Sequence, residues 1–279
     1  MAELKWEDKP HGAQSVMVAA FEGWNDAGDA ATQAVDHLWD AWGARRFASI
    51  DPEEFYDFTS TRPHVEIDEG RTRRVRWPVN EFGWAQPSGD TGVVLLRGVE
   101  PQLRWRTFCS QILTVAEAVG CRFVLTLGAL LADVAHTRPT PVFGNAYDQH
   151  VIDALNLEPS YYEGPTGIVG VLHAECNEVG IDSASLWAAV PSYVPSSPSP
   201  KATLALVERA TGLLSTPVST STLEIGSVGY EAQITELVSE DDATLEYVHH
   251  LEDQYDHDDA AVASADDLVD EVERFLREQ

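Results

Sequence analysis

The stretch Val16 to Trp42, VMVAAFEGWNDAGDAATQAVDHLWDAW, constrains the fold more than any other. Val16 to Phe21 is a short apolar run suited to a buried central strand, and Glu22-Gly23-Trp24-Asn25-Asp26 interrupts it with turn-forming residues. Ala27, Ala31, Ala34, Leu38 and Trp42 then recur at helical spacing until Gly43 stops the run. Asn25 or Asp26 is positioned to cap that helix, with Asp29 in its first turn. A strand end that feeds a helix start is where open α/β sheets place ligands.

The same logic recurs downstream. Gly92 to Val99 is almost wholly apolar, as in a strand covered on both faces, and Pro101 suits the first turn of a helix predicted over Gln102 to Val119. Phe123 to Leu131 reads as a third buried strand that leads into the polar segment ADVAHTRPTPVFGNA. A short helix is predicted over Tyr147 to Asn156. Ile168 to Val179 has both strand and helix character; Gly180 in a stop position favours a helix capped by Thr166. Ser183 to Val190 gives a fourth buried strand, and Lys201 to Leu214 a closing helix. Alternation of this kind predicts parallel βαβ units with helices on both faces, an αβα sandwich around a mainly parallel sheet. Arg46 to Ile50 and His64 to Ile67 read as short strands, and Arg71 to Trp77 as an exposed or edge strand rich in arginine.

From Ser219 on, the spacing is helical throughout. Leu223 to Val238, Asp241 to Asp256 and Ala265 to Glu278 read as amphipathic helices, so the expected division is an α/β core over residues 1–218 and an acidic helical segment over 219–279. From Glu231 to the end there are seventeen acidic residues against Arg274 and Arg277. The whole chain carries a formal charge of -28, which argues against nucleic acid or an anionic membrane as partner. No uninterrupted apolar stretch is long enough to span a membrane and the first residues do not resemble a signal peptide, so a cytoplasmic protein is expected. Cys109, Cys121 and Cys176, widely spaced with no CxxC, read as reduced thiols.

If the strand ends share one edge, the loops after them supply a candidate cleft: Gly23, Trp24, Asn25 and Asp26; Glu100 and Arg104; Asp133, His136 and Arg138; Glu163 and Thr166. Within it, Asp26 or Glu163 would be acid/base groups assisted by His136, and Asp133 and His136 stand three apart as a possible base and orienter. The plain alternative is that these residues make tight turns and hydrogen-bond their neighbours. No GxxxxGK[ST], GxGxxG, GxSxG or HExxH occurs, and Asp26 and Asp29 would repel a phosphate, so the motifs point away from an enzyme and imply no cofactor. His249, Asp253 and His257 share a helix face in the tail but read as solvated surface, leaving no metal site.

Five blocks in order, FEGWNDAGDAAT, LLRGVEPQLRWRTF, LGALLADVAHTRPTPVFG, YEGPTGIVGVL and SLWAAVPSYV, resemble the actinobacterial branch of the proteasome assembly chaperone type-two family over about residues 15 to 210. The resemblance implies a three-layer α/β sandwich of phosphorylase/hydrolase-like (nucleoside-phosphorylase-like) architecture and a protein-binding or assembly-chaperone role. It also implies a homo-oligomer, for instance a trimer, and a protein partner. A small-molecule-binding protein or phosphorylase/hydrolase-like enzyme with a strand-end cleft is the alternative, since scaffold does not assign activity. The last residues, Leu276-Arg277-Glu278-Gln279, depart from the hydrophobic-Tyr-X tail used by eukaryotic relatives.

Overall fold

The apolar run that opens the chain becomes the middle of a nine-stranded sheet. The computed structural model describes residues 4–10, 14–68, 72–87, 89, 91–159 and 162–258. In chain order these form β1 (Leu4–Trp6), β2 (Ser15–Glu22), α1 (Ala30–Ala41), β3 (Arg45–Ile50), β4 (His64–Asp68), β5 (Thr72–Arg76), β6 (Asn80–Ala85), β7 (Gly92–Val99) and α2 (Trp105–Ala118). There follow β8 (Cys121–Ala132), β9 (Val142–Ala146), α3 (Gln149–Leu155), β10 (Glu158–Pro159), α4 (Ile168–Glu178), β11 (Asp182–Pro191), α5 (Pro200–Leu214), α6 (Ser221–Ser239) and α7, residues 242–258.

The strand order is β1-β3-β6-β7-β2-β8-β11-β9-β10, with β4 and β5 forming a separate hairpin. The four central strands, β7, β2, β8 and β11, run parallel, and antiparallel neighbours flank them on both sides. Alternation along β2 shows why the strand is central. Val18 and Ala20 face a core shared with α1 and α5, while Met17, Ala19 and Phe21 face a second core shared with α2 and α4. All five are fully buried, and the three-layer αβα arrangement follows from that two-sided burial. The thiols lie in the second core, where burial pushes Cys109 and Cys176 up to about 12 and Cys121 up to about 11.

Four short strands, β1, β6, β9 and the two-residue β10, were not foreseen. All lie outside the central four; β1 and β9 are only partly buried and β10 is exposed, so their apolar signal is thin, whereas β6 is mostly buried but its apolar run is broken by Asn80, Glu81 and Gly83. The helix expected from Gln102 begins instead at Trp105. The amides of Gln102 and Leu103 both donate to the Phe55 carbonyl at 3.0 Å, and Arg104 takes a left-handed backbone with φ 56°, so Pro101 lies before the helix and not in its first turn. Strand β5 carries the arginine-rich run and pairs only with β4, leaving Val65, Ile67 and Val75 more than half exposed.

Beyond the sandwich, α6 packs on α5, and Tyr230, Ile234, Val238 and Val248 form a small third cluster with Val194. The expected third tail helix, Ala265 to Glu278, lies outside the described residues. No helix among the described residues is long and apolar enough to cross a membrane.

Candidate functional site

The strand-to-helix turn after β2 is held by its own carboxylate. Asp26 is 6 % exposed and accepts from the Ala31 amide at 2.7 Å, the Thr32 amide at 3.3 Å and the Thr32 hydroxyl. Neither Asn25 nor Asp26, the two residues expected there, holds the cap position of α1, which falls to Asp29 with a left-handed backbone (φ 52°) and no capping bond of its own; the Asp26 carboxylate reaches past it to answer the helix's first amides. Asn25, also buried, points the other way: its carbonyl accepts from the Ala129 amide at 2.8 Å, tying the turn to the end of β8, and its side-chain amide donates to Glu100 at 2.9 Å. The same Glu100 oxygen accepts from the Ile168 amide at 2.8 Å, the first residue of α4. Thr166 was expected to cap that helix, but Gly167 occupies the cap position, and the Glu100 carboxylate answers the orphan amide. Gly167 is required there, because a Cβ would come within 2.5 Å of Asn25 Oδ1 and 2.8 Å of Glu100 Oε1.

These three contacts close one wall of an open cavity of about 910 Å³ at the carboxyl ends of the central strands, the size of a small-molecule or side-chain pocket. Gly23, Trp24, Asn25, Asp26 and Thr166 line it, and Glu100 lies just behind its wall. The other expected residues lie apart. Arg104 pairs with Glu54 on the surface, and Glu163 is exposed outside the cavity. Asp133 accepts from Tyr247 at 2.8 Å and from Ser192 at 3.0 Å; Arg138 makes a two-pronged pair with Asp256, both contacts at 2.7 Å. His136 has both ring nitrogens engaged, by Tyr193 at 2.8 Å and Thr235 at 3.0 Å, while its carbonyl accepts from Lys201 at 2.7 Å. Asp133, His136 and Arg138 thus fasten α6 and α7 to the core. Burial, followed by the Lys201 charge, holds His136 below its ordinary pKa.

The rest of the cavity is lined by residues that the sequence did not single out, some from a segment read as a connector and some from elements that were foreseen. Phe143, Asn145 and Tyr147 project into it from β9 and its end, a spacing of two that VFGNAY displays. Ser185 and Trp187 do the same from β11, and Ser185 donates to Asn145 at 2.8 Å while accepting from the Trp187 indole at 3.0 Å. His173 at the floor is 5 % exposed, held between Thr126 and Ser183 at 2.8 Å each, and burial drives it down to about 4, so it is neutral. The rim is aromatic: Trp24 (67 % exposed), Tyr162 (68 %), Tyr147 (61 %) and Phe143 (53 %). Large apolar side chains exposed together in this way are uncommon over most of a monomer's surface.

The charge of this cavity is one-sided. Its lining includes Asp26 and Asp29 and no lysine or arginine among the described residues. The helix starts nearest to it, those of α1 and α4, would otherwise attract an anion, yet each is already satisfied by an internal carboxylate, Asp26 and Glu100. Among the described residues no group of three or more His, Cys, Asp or Glu is arranged to hold a metal ion, and His249, Asp253 and His257 lie exposed on α7. Replacing Glu100→Ala is expected to uncover the α4 amide and separate the Gly23–Asp26 and Thr166–Ile168 loops. Stability should fall by about 1–2 kcal/mol, and Glu100→Gln, which retains the acceptor, should recover most of it in chemical denaturation.

Comparison with known proteins agrees with this architecture. A model of the PAC2 family matches residues 20–238. A PAC2 family protein of known structure from Streptomyces avermitilis is 44% identical over 84% of this chain and 99% of its own, with a TM-score of 0.78. A proteasome-assembly chaperone homologue from Mycobacterium tuberculosis is 46% identical over 84% of this chain and 99% of its own, with a TM-score of 0.76. An archaeal proteasome activator from Pyrococcus furiosus shares the fold at 15% identity, a TM-score of 0.69, and coverage of 85% and 98%. None of the curated proteins compared matches the chain. With the family match extending over residues 20–238 and close structural relatives in Streptomyces and Mycobacterium, the chain belongs to the PAC2 family.

Proposed function

We propose that this protein is a non-enzymatic, assembly-chaperone-like module that binds a protein partner in the cytoplasm, itself as a homo-oligomer such as a trimer. The observation that carries the reading is the 46% identity, over 84% of this chain, with a protein described as a proteasome-assembly chaperone homologue. The exposed aromatic rim supports it, because a protein surface recognises a partner chiefly through buried aromatic and aliphatic anchors. The net charge of -28 makes nucleic acid an unfavourable partner.

A phosphorylase- or hydrolase-like activity is the weaker reading. Among the described residues phosphate has no cationic side chain in the cavity, and the nearby helix starts are closed by Asp26 and Glu100. His136, the histidine considered as a base, and His173 on the cavity floor each have both ring nitrogens committed to neighbours. The test is to mix the full chain with purified, unassembled proteasome α-type subunits from the same organism and follow ring formation by native electrophoresis. The expected result is a complex containing this chain before rings appear, and faster ring formation. Unchanged kinetics with the chain migrating alone would reject the reading. Analytical ultracentrifugation of the isolated chain is expected to give a sedimenting mass at least twice that of the monomer.

A further inference from the structure

We infer that the 910 Å³ cavity is the seat for an internal segment of the partner protein, one that inserts an aromatic or aliphatic side chain and carries no negative charge, and not for a chain terminus ending in carboxylate. The inference rests on the protein-binding reading above and specifies its contact.

Charge complementarity is the first ground. Asp26 and Asp29 lie in the lining, with no lysine or arginine among its described residues to offset them. A carboxylate or phosphate entering there would be repelled, whereas a neutral or cationic group would be tolerated or attracted. The second ground is the use made of the helix starts. α1 and α4 are the chain's own devices for holding an anion at this edge of the sheet, and Asp26 and Glu100 occupy them. The third is shape and polarity. Trp24, Phe143, Tyr147 and Tyr162 are exposed aromatic side chains at the mouth, which suit an aromatic or aliphatic side chain and, through cation–π attraction, a neighbouring lysine or arginine. Deeper in, the Asn145 side-chain amide, held in place by the Ser185 hydroxyl that donates to its oxygen, offers a hydrogen-bonding group of the kind that reads a backbone amide.

Three compounds with one indole and different charge test this by saturation-transfer NMR on the full chain. N-acetyl-tryptophanamide mimics a residue within a chain, tryptophanamide adds a cation, and N-acetyl-tryptophan ends in a carboxylate. The first two are expected to bind, and the third to bind about tenfold more weakly or not at all. Trp24→Ala combined with Phe143→Ala, both at exposed rim positions and checked for an unchanged circular dichroism spectrum, should abolish the binding. Equal or tighter binding of N-acetyl-tryptophan, no binding of any of the three, or binding that survives the double substitution would each overturn the inference. The same double variant is then used in the ring-formation assay. If it assists assembly as well as the parent chain does, the cavity is not the partner's seat, while the assembly reading stands. If the parent chain itself has no effect on assembly, the reading fails, and the inference falls with it even if the indoles bind.

Discussion

Gly98→Ala is expected to lower the free energy of unfolding by about 3–5 kcal/mol, enough to depress the melting temperature by on the order of 10 °C. Gly98 lies opposite Asn80, and a Cβ at Gly98 would stand 1.9 Å from Asn80 Oδ1 and 2.8 Å from Asn80 Cα. The second contact is to backbone and cannot be relieved by a rotamer. The first cannot be relieved cheaply, since Asn80 is wholly buried and its amide donates to the Tyr56 hydroxyl, which in turn donates to the Val99 carbonyl at 2.6 Å. Moving Asn80 therefore breaks a buried relay, with desolvated groups left behind. That relay also sets the path of the chain at Val99, one residue before Glu100. A variant stable enough to study should consequently show loosened contacts from Glu100 to Asn25 and Ile168, visible as faster hydrogen exchange at the Ile168 amide. A change in stability below about 1 kcal/mol would mean that β6 and β7 shift apart more easily than their packing implies.

Asp26→Asn should have the opposite sign. Burial, with the Asp29 charge adding to it, raises the Asp26 carboxyl from its ordinary range to about 6, although its hydrogen bonds to Thr32 and Ala31 pull the other way. Between about pH 4 and 6 the folded chain therefore binds a proton at this site that the unfolded chain has released. Stability from this group is greatest at the low end of that window and declines as pH rises through it, by up to about 3 kcal/mol, and is constant above. Asparagine retains an oxygen for the Ala31 and Thr32 amides, and its amino group can meet the Thr32 hydroxyl as donor. The expected outcome is a gain of about 2 kcal/mol at pH 7 and a flattened stability profile between pH 4 and 6, measured by urea denaturation across that range. A variant that parallels the parent chain at every pH would show that Asp26 is solvated when ionised. The same substitution should weaken tryptophanamide more than N-acetyl-tryptophanamide, because it removes a negative charge from the cavity. A carboxylate that costs stability where it lies fits a binding role better than a structural one.

Much of the fold is local information. The two-sided apolar run at Val16 to Phe21, the turn residues after it and the helical spacing that follows specify β2 and α1 within one stretch of chain. The runs at Gly92, Phe123 and Ser183 do the same for the other parallel strands. Strands β1, β9 and β10 were illegible because a peripheral strand buries too little to need an unbroken apolar pattern, and β6, though mostly buried, because Asn80, Glu81 and Gly83 interrupt its apolar residues. The start of α2 was misplaced because a proline states where a helix is allowed to begin, whereas the Phe55 carbonyl, distant in sequence, decides where it does.

The site divides along the same line. Sequence alone was sufficient to mark Gly23 to Asp26 as a strand-to-helix turn with two nearby carboxylates unfriendly to phosphate, because capping and charge act over a few residues. It could not reveal that Glu100 would serve α4, 68 residues later, in place of Thr166, or that Asp133, His136 and Arg138 would be spent on docking α6 and α7. Nor could it bring Phe143, Tyr147, Tyr162 and Trp187 around one cavity beside Trp24. Those meetings depend on β8 lying between β2 and β11 and on β9 returning antiparallel beside β11. Strand order is fixed by the burial of whole faces against helices, a property of the assembled layers that no short segment carries.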